Sequence, residues 1–269
     1  MKRPFLLVGV LVGAFCVFLW ASSSRFIGPS RAAVEMPAVS YLQGLTWLGH
    51  ASFRLERGGV VVYFDPWTIA GEPHDADLIL ISHPHFDHLS AADAMKVAKV
   101  PGEGGKSDTV IVTVTECVPK LEEAKFPGTV QVVKPGEQVK VKGISIEAVP
   151  AYNTNKTFHP KEKEWAGFIV EVDGTRLYHA GDTDFIPEME TFRTDVALLP
   201  VSGTYVMTAE EAAEAAKAIK PKVAVPMHYG SIVGSGADAK RFQTLGGEVV
   251  VEVIPKEEKI KVAGDSSPS

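Results

Sequence analysis

The stretch Asp77-Leu78-Ile79-Leu80-Ile81-Ser82-His83-Pro84-His85-Phe86-Asp87-His88 joins a buried strand to a cluster of metal-ligand side chains. Its first half is a short continuous apolar run, the pattern of a strand covered on both faces. Its second half places three imidazoles and a carboxylate within six residues. This segment should be a strand-to-helix loop, because Ser90 has the form of an N-cap, Asp93 follows three residues later, and apolar residues then recur at helical spacing to Val100. The chain has 8 His in all, so a solvated polar loop is a poor account of three in one place. Imidazole with carboxylate is a ligand set for zinc or a similar divalent ion.

Outward from this loop the chain reads as strands with a few helices. Leu45 to Leu55 and Val60 to Phe64 flank Arg57-Gly58-Gly59 and form a predicted hairpin. A second predicted hairpin, Phe168 to Val172 and Arg176 to His179, turns at Asp173-Gly174. The two echo one another. Phe53, Glu56, Gly59 and Tyr63 have the spacing of Phe168, Glu171, Gly174 and Tyr178, and each hairpin precedes an Asp-led apolar strand, at Asp77 and Asp195. Further strands are expected at Val110 to Val114, Val130 to Val133, Val139 to Val141, Ile144 to Val149, Val223 to Val225 and Glu248 to Val253. Helices are expected at Thr208 to Lys220, opened by a Thr208/Glu211 capping box, and near Ala237 to Leu245. Two similar β-rich halves, each faced by helices, make an α/β four-layer αββα sandwich.

At the N-terminus, Lys2 and Arg3 precede an apolar run from Phe5 to Trp20 and then Ala21-Ser22-Ser23-Ser24. Residues 1–32 therefore read as a cleaved signal peptide or a retained membrane anchor. Either puts the body, residues 33–263, outside the cytoplasm, in a periplasmic, extracellular or anchored location, with membrane contact through residues 5–20 if the segment stays. Residues 264–269 read as a disordered tail. Removing residues 1–32 takes away Lys2, Arg3, Arg25 and Arg31 of 27 basic residues and none of the 33 acidic ones, so the body is more acidic than the net charge of −6 implies. Such a surface excludes a nucleic-acid backbone as partner. With Cys16 inside the apolar run, Cys117 is alone in the body and no intrachain disulfide forms there.

The sequence HxHxDH after a buried strand resembles the metallo-β-lactamase fold superfamily. Gly181-Asp182-Thr183 stands where that superfamily places a bridging Asp, and Pro226-Met227-His228 where it places a late His. The resemblance implies two divalent metal ions, zinc with manganese or iron(II) as alternatives. His83 and His85 would bind one, Asp87, His88 and His228 the other, and Asp182 both. One position departs from the pattern: where relatives read Pro-Ala-x-His, this chain reads Pro150-Ala151-Tyr152-Asn153. Either the first site is weak and open, or His159 loops back to complete it. His50 and His179 are expected to hydrogen-bond ligand carboxylates or else to be satisfied core residues, and His74 to be solvated. Lys156, Lys161 and Lys163 lie where they could hold an anionic substrate.

Gly49-His50, Asp65-Pro66-Trp67 and Leu199-Pro200-Val201-Ser202-Gly203 are similar to the branch that contains ascorbate-6-phosphate lactonase and, more distantly, N-acyl-phosphatidylethanolamine phospholipase D. This likeness implies a binuclear hydrolase that uses a metal-bound hydroxide, oriented by Asp87 and Asp182, on a small-molecule or lipid-derived ester, either a phosphodiester or a lactone. β-Lactam hydrolysis ranks lower because a third His is missing from its usual place. A non-catalytic metal-binding protein, used for sensing or partner contact, is the competing reading, and Asn153 is its best support.

Overall fold

The computed structural model describes Met1 and residues 37–257. The expected export segment and the expected C-terminal tail lie outside the described residues. Among those described, no helix is long and apolar enough to cross a membrane.

Two mixed sheets and a few short helices make up the body. The first sheet runs β1 (Leu45–Gly49), β2 (Ser52–Arg57), β3 (Val60–Phe64), β4 (Leu78–Ile81), β5 (Val110–Thr113) and β6 (Thr129–Val132), in that order. The second contains β7 (Gln138–Val141), β8 (Ile144–Pro150), β9 (Ala166–Val172), β10 (Thr175–His179), β11 (Val196–Pro200), β12 (Val223–Met227) and β13 (Val250–Val251), in reverse order across the sheet. The helices are α1 (Ala91–Val97), α2 (Val118–Glu123), α3 (Ala209–Ile219) and α4 (Gly236–Leu245). The expected first hairpin arm is in fact two strands, because the backbone turns at Gly49 and His50, both at positive φ. The helix α2 has no counterpart among the sequence expectations. The expected strand Glu248 to Val253 shrinks to two residues.

Each sheet begins as antiparallel hairpins and ends as parallel strands, whose inner members are covered on both faces while the edge strands β6 and β13 are not. Accordingly every residue of β4, β11 and β12 is buried. The sequence echo is structural. Tyr63 pairs with Arg54 on its hairpin partner and with Ile79 on the following parallel strand, just as Tyr178 pairs with Ile169 and then Ala197. Asp77 N donates to Val61 O at 2.9 Å and Asp77 Oδ2 accepts from Val61 N; Asp195 repeats both bonds with Arg176, at 2.8 and 2.9 Å. The equivalent residues Phe64 and His179 stack 5.2 Å apart, so a single apolar core spans both sheets.

Helix boundaries follow their caps. Ser90 accepts from Asp93 N at the start of α1, and Thr208 and Glu211 form the expected capping box on α3, whose alanine-rich face is buried. Lys220, at φ 56°, ends α3 in a left-handed turn. Three of the loops that carry the chemistry leave the carboxyl ends of strands with a parallel neighbour, β4 leading to His83, β10 to Asp182 and β12 to His228, and His159 comes from the loop between the antiparallel β8 and β9. Ligand sites in open α/β sheets lie at these ends.

Candidate metal centre

The structure brings seven sequence-predicted residues to one place and divides them into two groups. His83, His85, His159 and Asp182 form one; Asp87, His88 and His228, with His50, form the other. Within each group one potential ligand atom per residue lies within 4.8 Å of all the others. Asp182 stands between them. Its Oδ2 is 3.2 Å from His159 Nε2 and 3.1 Å from His228 Nε2, while its Oδ1 is 3.2 Å from His88 Nε2.

A purely structural polar cluster would satisfy these atoms among themselves. Instead Nε2 of His88, His159 and His228 and Oδ1 of Asp182 are buried without a hydrogen-bond partner. Buried polar groups are rarely left so. His83 Nε2 and His85 Nδ1 face each other at 3.0 Å. Lone pairs that converge with no proton donor between them fit a pair of divalent cations, and the two clusters together fit a dinuclear site.

The rear nitrogens explain why the lone pairs converge. Asp65 accepts from Ser82 N at 2.7 Å through Oδ1, and from Ser82 Oγ at 2.6 Å and His88 Nδ1 at 2.7 Å through Oδ2. Ser82 Oγ, its proton committed to Asp65, accepts from His83 Nδ1 at 2.9 Å. Both rings are thereby Nδ1–H tautomers that present Nε2 forward. Ser202 Oγ lies 3.1 Å from His228 Nδ1 and backs the third ring. Asp65 appears in the sequence only as the end of a strand and as a mark of the branch. Its chemistry depends on a 41° φ and a fold that sets it 17 residues from Ser82 and 23 from His88.

His50 takes the expected outer role. Its Nε2 donates to Asp87 Oδ2 at 2.9 Å, and its carbonyl accepts from Trp47 Nε1 and from the backbone of His228. Burial first of all keeps the His50 imidazole neutral by lowering its pKa. Burial would raise the Asp87 carboxyl, yet the His50 hydrogen bond and the nearby His88 hold it below its usual value. Asp182 is held well below the carboxylate range by His228 and His88 against the opposing effect of burial. For His88, burial acts downward but Asp182 and Asp65 outweigh it, so without metal its pKa stands well above that of a free imidazole, and a cation held at Nε2 would take the place of the second ring proton.

For His179 the second of the two expected readings holds, and for His74 the structure departs from expectation. His179 meets no ligand carboxylate: its Nε2 bonds Ala51 O at 2.8 Å and its Nδ1 accepts from Gly181 N at 3.3 Å, making it a satisfied core residue beneath the Asp182 turn. His74 bonds the Ala98 carbonyl at 2.9 Å and is only part-exposed. Each of the three lysines has a carboxylate partner. Lys156 pairs with buried Asp184 at 2.6 Å, Lys161 with Glu188 at 2.9 Å and Lys163 with Glu116 at 2.8 Å. Glu116 also fixes Trp165 Nε1 at 2.8 Å, and that indole covers His83 and His85 at 5.0 and 4.9 Å between ring centroids. Phe86 and Phe158, each beside a ligand candidate in sequence, stay largely exposed.

A family profile described as beta-lactamase superfamily domain matches residues 44–228. A UPF0173 metal-dependent hydrolase of Pyrococcus abyssi is 36% identical over 224 residues, covering 78% of this chain and 95% of that protein. A crystal structure of a Parabacteroides distasonis protein is 33% identical with a TM-score of 0.63, covering 78% of this chain and 91% of its own. The structure of a metallo hydrolase from the hyperthermophilic archaeon Ignicoccus hospitalis is 28% identical with a TM-score of 0.64, covering 80% and 96%.

Proposed function

The chain belongs to the beta-lactamase superfamily, and from that premise we propose that it is a binuclear metal-dependent hydrolase acting on an ester, either a phosphodiester or a lactone. The observation that carries this reading is the pair of donor clusters sharing Asp182, with unpartnered ring nitrogens turned inward. A divalent pair held there supplies Lewis acidity, which activates water near neutral pH and stabilises charge growing on the substrate's oxygens.

The protein's own groups do the rest. His83, His85 and His159 hold one side, Asp87, His88 and His228 the other, and Asp182 spans both. Asp87 and Asp182 would orient the attacking water, and the more open of the two, Asp87 at 13% exposed against 4% for Asp182, would carry its proton. The His50 hydrogen bond keeps Asp87 ionised for that task. Trp165 and Trp67 wall the rings: Trp165 lies 5.6 Å from His159 and Trp67 5.4 Å from His50.

The competing reading, a non-catalytic metal binder, drew its support from a missing third histidine. His159, 1% exposed and facing Asp182, speaks against that reading and weakens the reason for ranking β-lactam hydrolysis lower. With the loop lysines paired, recognition of an anionic substrate would fall to the metal pair. The apolar run at residues 5–20 supports a body that works outside the cytoplasm.

Metal analysis of the full chain by mass spectrometry, with hydrolysis of bis(p-nitrophenyl) phosphate, a lactone panel and a β-lactam, tests the reading. About two metals per chain and turnover of one substrate class that vanishes in Asp182→Ala are the expected results. One metal or fewer, with no turnover under added zinc, manganese or iron, refutes it.

A further inference from the structure

The position at which the superfamily pattern calls for a histidine is occupied by Asn153, and the ring that enters the first cluster comes from six residues later. The geometry between the two is specific. Asn153 N donates to His159 O at 2.8 Å, and His159 N donates back to Asn153 Oδ1 at 3.0 Å, so residues 154–158 form an excursion pinched shut at its base. Both end residues are buried, at 8% and 1% exposure.

The surroundings dictate which way the Asn153 amide points. Its Nδ2 faces Asp184 Oδ1 at 3.1 Å and Tyr205 O at 2.9 Å, and both of these can only accept. Oδ1 is therefore the atom turned to His159, where it lies 3.1 Å from Nδ1. A carbonyl oxygen cannot donate, so His159 Nδ1 carries the ring proton, as the Tyr205 carbonyl 3.2 Å away also requires. The lone pair is then on Nε2, which faces Asp182 Oδ2 at 3.2 Å and has no hydrogen-bond partner. Asp184 anchors the whole assembly. It is fully buried, paired with Lys156, and accepts from Thr154 N at 2.8 Å as well as from Asn153.

We propose that Asn153 is a positioning residue: instead of ligating a metal at the position it occupies, it fixes the tautomer and aim of His159 so that this ring completes the first site. The inference rests on the metal-centre reading above. The amide does for His159 what Asp65 does for His88, and such outer partners govern metal affinity by 10- to 100-fold.

The test is a zinc titration of the full chain against a competing chelator, with circular dichroism to verify folding. Asn153→Ala should weaken the first zinc by about 10- to 100-fold and leave the zinc at Asp87, His88 and His228 within about threefold of wild type. His159→Ala should weaken the same site at least as much. In the His159→Ala background, adding Asn153→Ala should cost no more than about threefold further, because a residue that acts through the ring has nothing left to act on. Asn155→Ala, in the exposed part of the excursion, should bind as wild type does. Asn153→Ser retains a small polar group in the pocket and should repeat the Asn153→Ala pattern if that variant folds poorly. Wild-type affinity in Asn153→Ala, additive losses in the double variant, or equal weakening of both zincs would each overturn the inference. A wild type that holds fewer than two zincs would instead refute the metal-centre reading, before any variant is made, and the inference with it.

Discussion

Asp65→Asn is the change from which most can be learned, because it alters one atom in the group that orients two rings. The Asp65 carboxylate accepts three hydrogen bonds, from Ser82 N, Ser82 Oγ and His88 Nδ1, and Ser82 Oγ relays its hold to the His83 ring. In the variant the amide must turn one of two ways. With its oxygen kept on Ser82 N, the NH2 faces His88 Nδ1–H, two donors meeting in a fully buried site. With its oxygen turned to His88, the NH2 meets the Ser82 backbone N–H instead. A buried donor without an acceptor costs about 1–3 kcal/mol. The alternative is for His88 to move its proton to Nε2, which removes the lone pair that would hold the second of the proposed metals. Loss of an outer partner lowers metal affinity by about 10- to 100-fold, or about 1.4–2.8 kcal/mol. We therefore expect Asp65→Asn to weaken the second metal by at least tenfold, to lose about 1–3 kcal/mol of metal-free stability, or to divide the cost between them. Chelator competition and urea unfolding of the metal-free chain read the two separately. A variant within twofold of wild type in affinity and within about 0.5 kcal/mol in stability would refute the hydrogen-bond reasoning.

Tyr178 tests the core in the opposite direction: its hydroxyl is buried with no partner, so Tyr178→Phe should raise stability by about 1 kcal/mol in urea unfolding, and a loss of that size would show a hydrogen bond at the hydroxyl. Gly167 lies against the turn that carries Asp182, where an added Cβ would come within 2.7 Å of Ala180 O and 2.8 Å of His179 O. Gly167→Ala should therefore destabilise by about 1–3 kcal/mol and reduce metal content, and a wild-type melting curve would contradict it. Asp77, linked to Lys99 and to Val61 N, titrates below its ordinary 3.8: burial acts upward, and the Lys99 hydrogen bond with the Val61 N–H overcomes it. Its contribution is thus complete above the unfolded value and is lost as pH falls through the lower folded one. The stability difference between wild type and Asp77→Asn should be largest above about pH 5 and shrink below pH 4; a constant gap in urea midpoints from pH 7 to pH 3 would refute it.

Much of the fold was legible because its signals are local. The apolar run of β4, the Asp173-Gly174 turn, the Ser90 and Thr208 caps and the spacing shared by the two hairpins each depend on residues within a dozen positions of one another. The same holds for His83, His85, Asp87 and His88, which a single loop delivers together. Locality also explains the misreadings. The first hairpin arm broke at His50 because that residue's left-handed backbone is set by its contacts with Trp47 and His228, which no hydrophobic pattern records. His179 looks like a site residue from its neighbours in sequence, yet its partners are a carbonyl 128 residues away and the ring of Phe64.

What the sequence by itself determined was the kind of chemistry: a buried strand opening into imidazoles and a carboxylate, with Asp182 and His228 waiting at two later strand ends. What only the tertiary structure decided was which nitrogen of each ring faces inward. That choice belongs to the group behind the ring: Asp65 for His88, Ser82 for His83, Ser202 for His228 and Asn153 for His159. Except for Ser82, which is adjacent to His83, these supports lie 6 to 26 residues from the rings they hold. A hydrogen bond that fixes a tautomer acts over about 3 Å of space and carries no signature of its distance along the chain.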